Sequence, residues 1–85
     1  MRQFEYVVQS PVGIHARPAM ILAQTAMQLT SRITVEYNGK RANAKNMASL
    51  LTLRVYQGAK VTFYLEGENE KKDAYLLKMC CEQNL

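Results

Sequence analysis

The sequence predicts an α+β fold: an open-faced β-sandwich in which a four-stranded antiparallel sheet is covered on one face by three helices, in the order β-α-β-β-α-β-α. Three observations predict it. Apolar and polar residues alternate along three stretches, the period of a strand with one face in the core. Other stretches switch to a spacing of three and four, the period of a helix with one apolar stripe. An Asn38-Gly39 pair stands between two strand-like stretches, as in a two-residue hairpin. A ferredoxin-like arrangement is the alternative, because element order along the chain does not fix strand order in the sheet.

Each element has its own reason. Residues 2–8 place Phe4, Tyr6 and Val8 on one side and Gln3 and Glu5 on the other. Ser10-Pro11-Val12-Gly13 is a loop. From Ala16 to Leu29 the apolar stripe is Ala19, Leu22, Ala26 and Leu29. Residues 32–37 turn Ile33, Val35 and Tyr37 inward, and Lys40 to Ala44 form the short return strand of the hairpin. Asn46 caps a short helix from Met47 to Leu53. After a turn at Gly58, residues 60–66 alternate with Val61, Phe63 and Leu65 inward. Asn69 is placed to cap the last helix, whose core stripe is Ala74, Leu77 and Cys81 and whose positive end carries Glu68 and Glu70.

The chain of 85 residues fits one domain, spanning 1–85, and leaves no room for a second core. A hydrophobic fraction of 48% with 21% charged residues is that of a folded domain rather than a disordered one. The longest apolar run, Ala19 to Ala23, is far short of a membrane span, and the start MRQFEYVV has no long apolar stretch, so a cytoplasmic location is expected. Cys80 and Cys81 are adjacent and the only cysteines, which gives no zinc set and no disulfide framework; they read as buried thiols on the last helix. The net charge is +4, and residues 1–60 hold eight Lys/Arg against two Asp/Glu. That surplus suits an acidic partner or a phosphate. It would also suit RNA, but Phe63 and Tyr64 stand without the Gly-Phe partner of an aromatic RNA-binding strand, so no nucleic acid is expected.

The chemistry concentrates in Gly13-Ile14-His15-Ala16-Arg17-Pro18-Ala19. His15 falls where a loop enters a helix, beside backbone N–H groups with no helical partner. Such a position attracts anions and disfavours the imidazolium, leaving a neutral nucleophilic nitrogen. Arg17 offers a planar set of donors for phosphate oxygens. Gly13 permits a tight approach of the loop, and Pro18 gives up an amide the first turn does not need. Pro18 also biases Arg17 away from helical dihedrals, so an irregular first turn is expected. On the residues alone, His15 is either a nucleophilic or anion-binding histidine or a simple capping residue. A metal site is not expected around a lone histidine, nor a catalytic triad, since residues 6–35 contain no Asp or Glu.

The heptapeptide resembles the active-site motif of HPr, the histidine-containing phosphocarrier of the phosphoenolpyruvate-dependent sugar phosphotransferase system. The resemblance runs the length of the chain through Tyr37-Asn38-Gly39-Lys40, Lys45, Gln57-Gly58-Ala59 and Glu66-Gly67-Glu68. It implies the open-faced sandwich and a carrier with a transient phosphohistidine rather than a stand-alone enzyme. It implies that His15 accepts a phosphoryl group on Nδ1 from enzyme I and hands it to enzyme IIA domains of sugar permeases. Arg17 and the backbone N–H groups of Ala16 and Arg17 would steady that group, with no cofactor or metal. Met20, Gln24 and Met27 of the first helix, with Met47, Ala48 and Leu51 of the short one, would form the docking surface for both partners. Lys45 and Arg54 would add attraction to acidic partners. A monomer is the default for such a transient carrier. The alternative within the family is a regulatory paralogue acting through protein contacts.

Three departures qualify the resemblance. Asn46 stands where many members carry a regulatory phosphoserine, and it has no hydroxyl to phosphorylate. Val12 replaces a frequent Ser or Asn near the histidine. Arg54 replaces a frequent glycine, and a positive φ there would cost it about 1 kcal/mol or more.

Overall fold

The computed structural model describes residues 1–85. The elements are β1 (Arg2–Val7), α1 (Ala16–Met27), β2 (Arg32–Tyr37), β3 (Lys40–Asn43), α2 (Met47–Thr52), β4 (Lys60–Glu66) and α3 (Glu70–Asn84), in the order the sequence predicts. Ends differ by a residue or two. The largest difference is at α1, which stops at Met27 because the amides of Gln28 and Leu29 tighten back onto Thr25 and Ala26.

The sheet order is β1-β4-β2-β3, and every neighbouring pair is antiparallel. β1 and β3 are therefore the edges. A ferredoxin-like sheet would hold β1 inside, so the strand order decides for the open-faced sandwich. β4 is one of the two inner strands, with Phe63 opposite both Phe4 and Val35. Its alternation sends Val61, Phe63 and Leu65 into the core, where Ile33, Val35 and Ala42 join them from β2 and β3. Phe4 stacks on Phe63 with ring centroids 4.8 Å apart. Ala19, Leu22, Ala23 and Ala26 of α1, Leu50 of α2, and Ala74, Leu77, Cys80 and Cys81 of α3 close the core from the helical side.

The hairpin between β2 and β3 has positive φ at both Asn38 (55°) and Gly39 (82°), the type I′ geometry that matches strand twist. Asn46 caps α2 as predicted, its side chain accepting from the Ser49 amide at 3.1 Å. Asn69 does not cap α3. Its backbone lies at φ −106°, ψ 23°, not the extended conformation that folds a capping side chain back, and its amide donates to Thr30 Oγ1 instead. The start of α3 is anchored by Asp73, which is buried and accepts from the Ser31 amide at 3.0 Å and the Ser31 hydroxyl at 2.6 Å.

Candidate functional site

The segment from β1 to α1 is held against the 55–59 turn along its length. Val8 donates to Ala59 and accepts from Gly58, and Ile14 donates to the Val55 carbonyl at 3.0 Å. The amides of Gln9 and Ser10 both donate to the Leu85 carbonyl, and Gly13 donates back to Ser10. Gly13 has φ +67°, and a Cβ there would overlap the Val55 carbonyl oxygen and lie 2.8 Å from Tyr56 Cα. The tight approach expected of this glycine is therefore an approach to the backbone of Val55 and Tyr56. It buries Ile14 and presents the next residue, His15, to solvent.

His15 occupies the N-cap of α1 with extended backbone (φ −122°, ψ −170°). Its carbonyl accepts the first helical bond, from the Ala19 amide at 2.9 Å. Its imidazole makes no capping hydrogen bond, so the simple capping role falls away. Ala16 and Arg17 open the helix with amides that have no helical acceptor, and Pro18 contributes none. No acidic residue sits in this first turn, so nothing on the helix competes with an arriving anion. The expected irregular first turn is corrected: Arg17 and Pro18 both lie within a regular helix. Pro18 has its ring buried and forgoes a bond that the first turn does not make, and this outweighs the bias it places on Arg17. Arg17 is exposed beside His15 along the chain.

α1 packs against α2. Met20, Met27 and Met47 are exposed to 44%, 65% and 39%, a large share for apolar side chains, and Gln24 and Ala48 are exposed with them. Leu51 is only half-exposed and packs against the core, so it belongs partly to the interior. Lys45 makes a contact that the sequence does not predict. Its ammonium donates to the Leu29 carbonyl at 3.0 Å and so closes the C-terminal end of α1. Arg54 is exposed and has φ +52°, the conditional strain foreseen for it. Tyr56, 66% exposed, is a surface residue that sequence reasoning missed; only the long-range approach of Gly13 brings it beside the His15 loop. Cys80 and Cys81 are buried, and burial, then the neighbouring Cys80 and Glu82, push the Cys81 thiol pKa well up.

None of the surface concavities is lined by His15 or Arg17; the largest, of about 500 Å³, lies over the first turns of α3 at Glu68, Asn69, Lys71, Lys72 and Tyr75. The histidine stands on an open surface, and no helix is long and apolar enough to cross a membrane.

Comparison with known families places this geometry. The model described as "PTS HPr component phosphorylation site" matches residues 2–82. The chain belongs to the HPr phosphocarrier family. HPr of Thermoanaerobacter tengcongensis superposes with a TM-score of 0.92 at 33% identity, covering 99% of this chain and 94% of that one. HPr of Bacillus anthracis gives a TM-score of 0.87 at 28% identity, covering 94% and 95%. Crh of Bacillus subtilis, a catabolite repression protein described as a swapped dimer, gives 0.77 at 33% identity, covering 100% and 98%. The open-faced sandwich is thus the family fold, and the phosphotransferase system is the setting in which the family works.

Proposed function

We propose that this chain accepts a phosphoryl group from enzyme I on His15 and passes it to enzyme IIA domains of sugar permeases. The observation that carries the reading is an exposed His15 ring, engaged in no cap, at a helix entrance whose first two amides lack helical acceptors. In the first transfer the Nδ1 lone pair of His15 bonds to phosphorus as the bond to the donor atom of enzyme I breaks. The second transfer reverses these roles and returns the lone pair to Nδ1. While the group resides on His15 it brings a charge of roughly −2. The amides of Ala16 and Arg17 and the Arg17 guanidinium answer that charge. The helix end contributes on the order of 0.3–2 kcal/mol, small enough for the group to leave again. Met20, Gln24, Met27, Met47, Ala48 and the outer edge of Leu51 serve as the docking surface, where adaptable methionines accommodate two partners in turn. The chain works as a cytoplasmic monomer.

The test is incubation with enzyme I and phosphoenolpyruvate. Acid-labile phosphate should form on the wild type and be absent from His15→Ala. An unlabelled wild type, or equal labelling of both, overturns the proposal. The likeness to Crh leaves room for one second reading, a regulator working by contact. Asn46 argues against it, because it offers no hydroxyl for a regulatory phosphate. Capture of a regulator without enzyme IIA in a pull-down would favour that second reading.

A further inference from the structure

The end of α1 remote from His15 opens onto a groove that the phosphoryl relay does not use. Two adjoining concavities, of about 300 and 290 Å³, share Arg32, Ile33 and Asn43 and together make a shallow groove beside β2 and β3. Thr34 and Arg41 wall one end, and Thr30 and Lys45 the other. Three cations line it and no carboxylate does. The 12 residues of α1 separate it from His15 by about 18 Å of helix.

Each of the three cations keeps donors to spare. The three ion pairs of the molecule join Met1 to Glu70, Arg41 to Glu36 and Lys60 to Glu5, which leaves Arg32 without one. Glu66 is the ladder partner of Arg32 but forms no ion pair with it. Arg41 uses only Nε on Glu36 and lies 5.2 Å from the centre of the Tyr64 ring, so its terminal nitrogens keep their donors. Lys45 spends one donor on the Leu29 carbonyl and keeps two. Neutral donors complete the lining: Thr34 and Asn43 face each other across the ladder, and Thr30 accepts from Asn69, which leaves its own hydroxyl proton to give.

We propose that this groove binds a small phosphate ester, independently of His15. Two guanidinium groups supply the forked donors that phosphate oxygens match, and an ammonium adds a point charge. The concavity and its volume suit a sugar phosphate or a nucleoside monophosphate rather than a protein surface. If the ligand is a nucleotide, its base has the Arg41 guanidinium, backed by the Tyr64 ring, to stack on.

The experiment is an NMR titration of the ¹⁵N-labelled full chain at constant ionic strength with inorganic phosphate, glucose 6-phosphate and adenosine monophosphate, with glucose as control. Saturable shifts are expected at the amides of residues 30–34 and 41–45. Affinity should fall about tenfold in Arg32→Gln, as for loss of one charge-assisted contact, be partly restored in Arg32→Lys, and be unchanged in His15→Ala. Equal binding of the three phosphates identifies the phosphate group alone as the ligand, and a preference for either ester identifies its source. Shifts that stay linear, that centre on Ala16 and Arg17, or that are the same in Arg32→Gln and in Thr34→Val as in the wild type overturn the proposal. Because His15→Ala is predicted to bind normally, failure here is distinguishable from failure of the relay.

Discussion

A methyl group on Gly13 would meet the Val55 carbonyl at a backbone conformation that side chains avoid. Both penalties act at once, since left-handed φ costs a non-glycine residue about 1–2 kcal/mol and the overlap must be relieved by moving backbone. Gly13→Ala is therefore expected to lose about 2–4 kcal/mol in urea unfolding, and to slow labelling of His15 by loosening the Ile14–Val55 bond. A melting curve like that of the wild type would show that the loop has room to shift. Arg54 is the opposite case, a side chain already in that region at φ +52°. Arg54→Gly removes the strain and adds back some unfolded-state freedom, for a net gain of about 0.5–1 kcal/mol. A lower unfolding midpoint in that variant would mean that the Arg54 side chain makes a compensating contact. The placement of His15 and Arg17 at a helix entrance was legible in the sequence, because that entrance is built from consecutive residues. The ring's freedom from capping was not, because it depends on where the loop is pinned, through bonds to Val55, Ala59 and Leu85.

Asn46 and Asn69 precede helices in the same way along the chain, yet only the first caps. The difference lies in backbone dihedrals, extended at Asn46 and near ψ 23° at Asn69, which the preceding turns set and residue type does not. Asn46→Ala is expected to cost about 1 kcal/mol in stability, and Asn69→Ala about 0.5 kcal/mol or less, because it loses only an exposed bond to Thr30. Equal losses by thermal and urea unfolding would refute this ranking. Element positions were otherwise legible, because period two and period 3.6 are read from near neighbours. The bond from Lys45 to α1 was not, since its acceptor on Leu29 is 16 residues away and belongs to another element. The same holds for Asp73, whose acidic placement in the first turn of α3 is readable but whose buried partner, Ser31, is 42 residues distant.

At the scale of the molecule, antiparallel pairing with one covered face followed from the patterning, while the β1-β4-β2-β3 order rests on pairings between the ends of the chain that no local signal carries. Closing the core in this way also places α3 beneath β1, and with it two groups whose titration the fold resists. Cys81 is fully buried, and its pKa is pushed up first by desolvation and then by Cys80 and Glu82. Tyr6, half-buried on β1, is raised by desolvation and then by Cys81 and Glu82. In the unfolded chain the thiol titrates near 9.0 and the phenol near 10.0. Above those values the unfolded state releases protons that the folded state keeps, so it binds fewer protons and stability falls as pH rises. The contribution is complete below pH about 9 and is lost progressively above it, by up to about 1.4 kcal/mol per pH unit for one proton. The urea midpoint should be level from neutral pH to about 8.5 and decline beyond it. Cys81→Ala should start lower at neutral pH, from lost packing, and decline less steeply between about pH 9 and 10, where the thiol alone has begun to titrate. Parallel declines in wild type and variant would place the alkaline sensitivity elsewhere than this thiol.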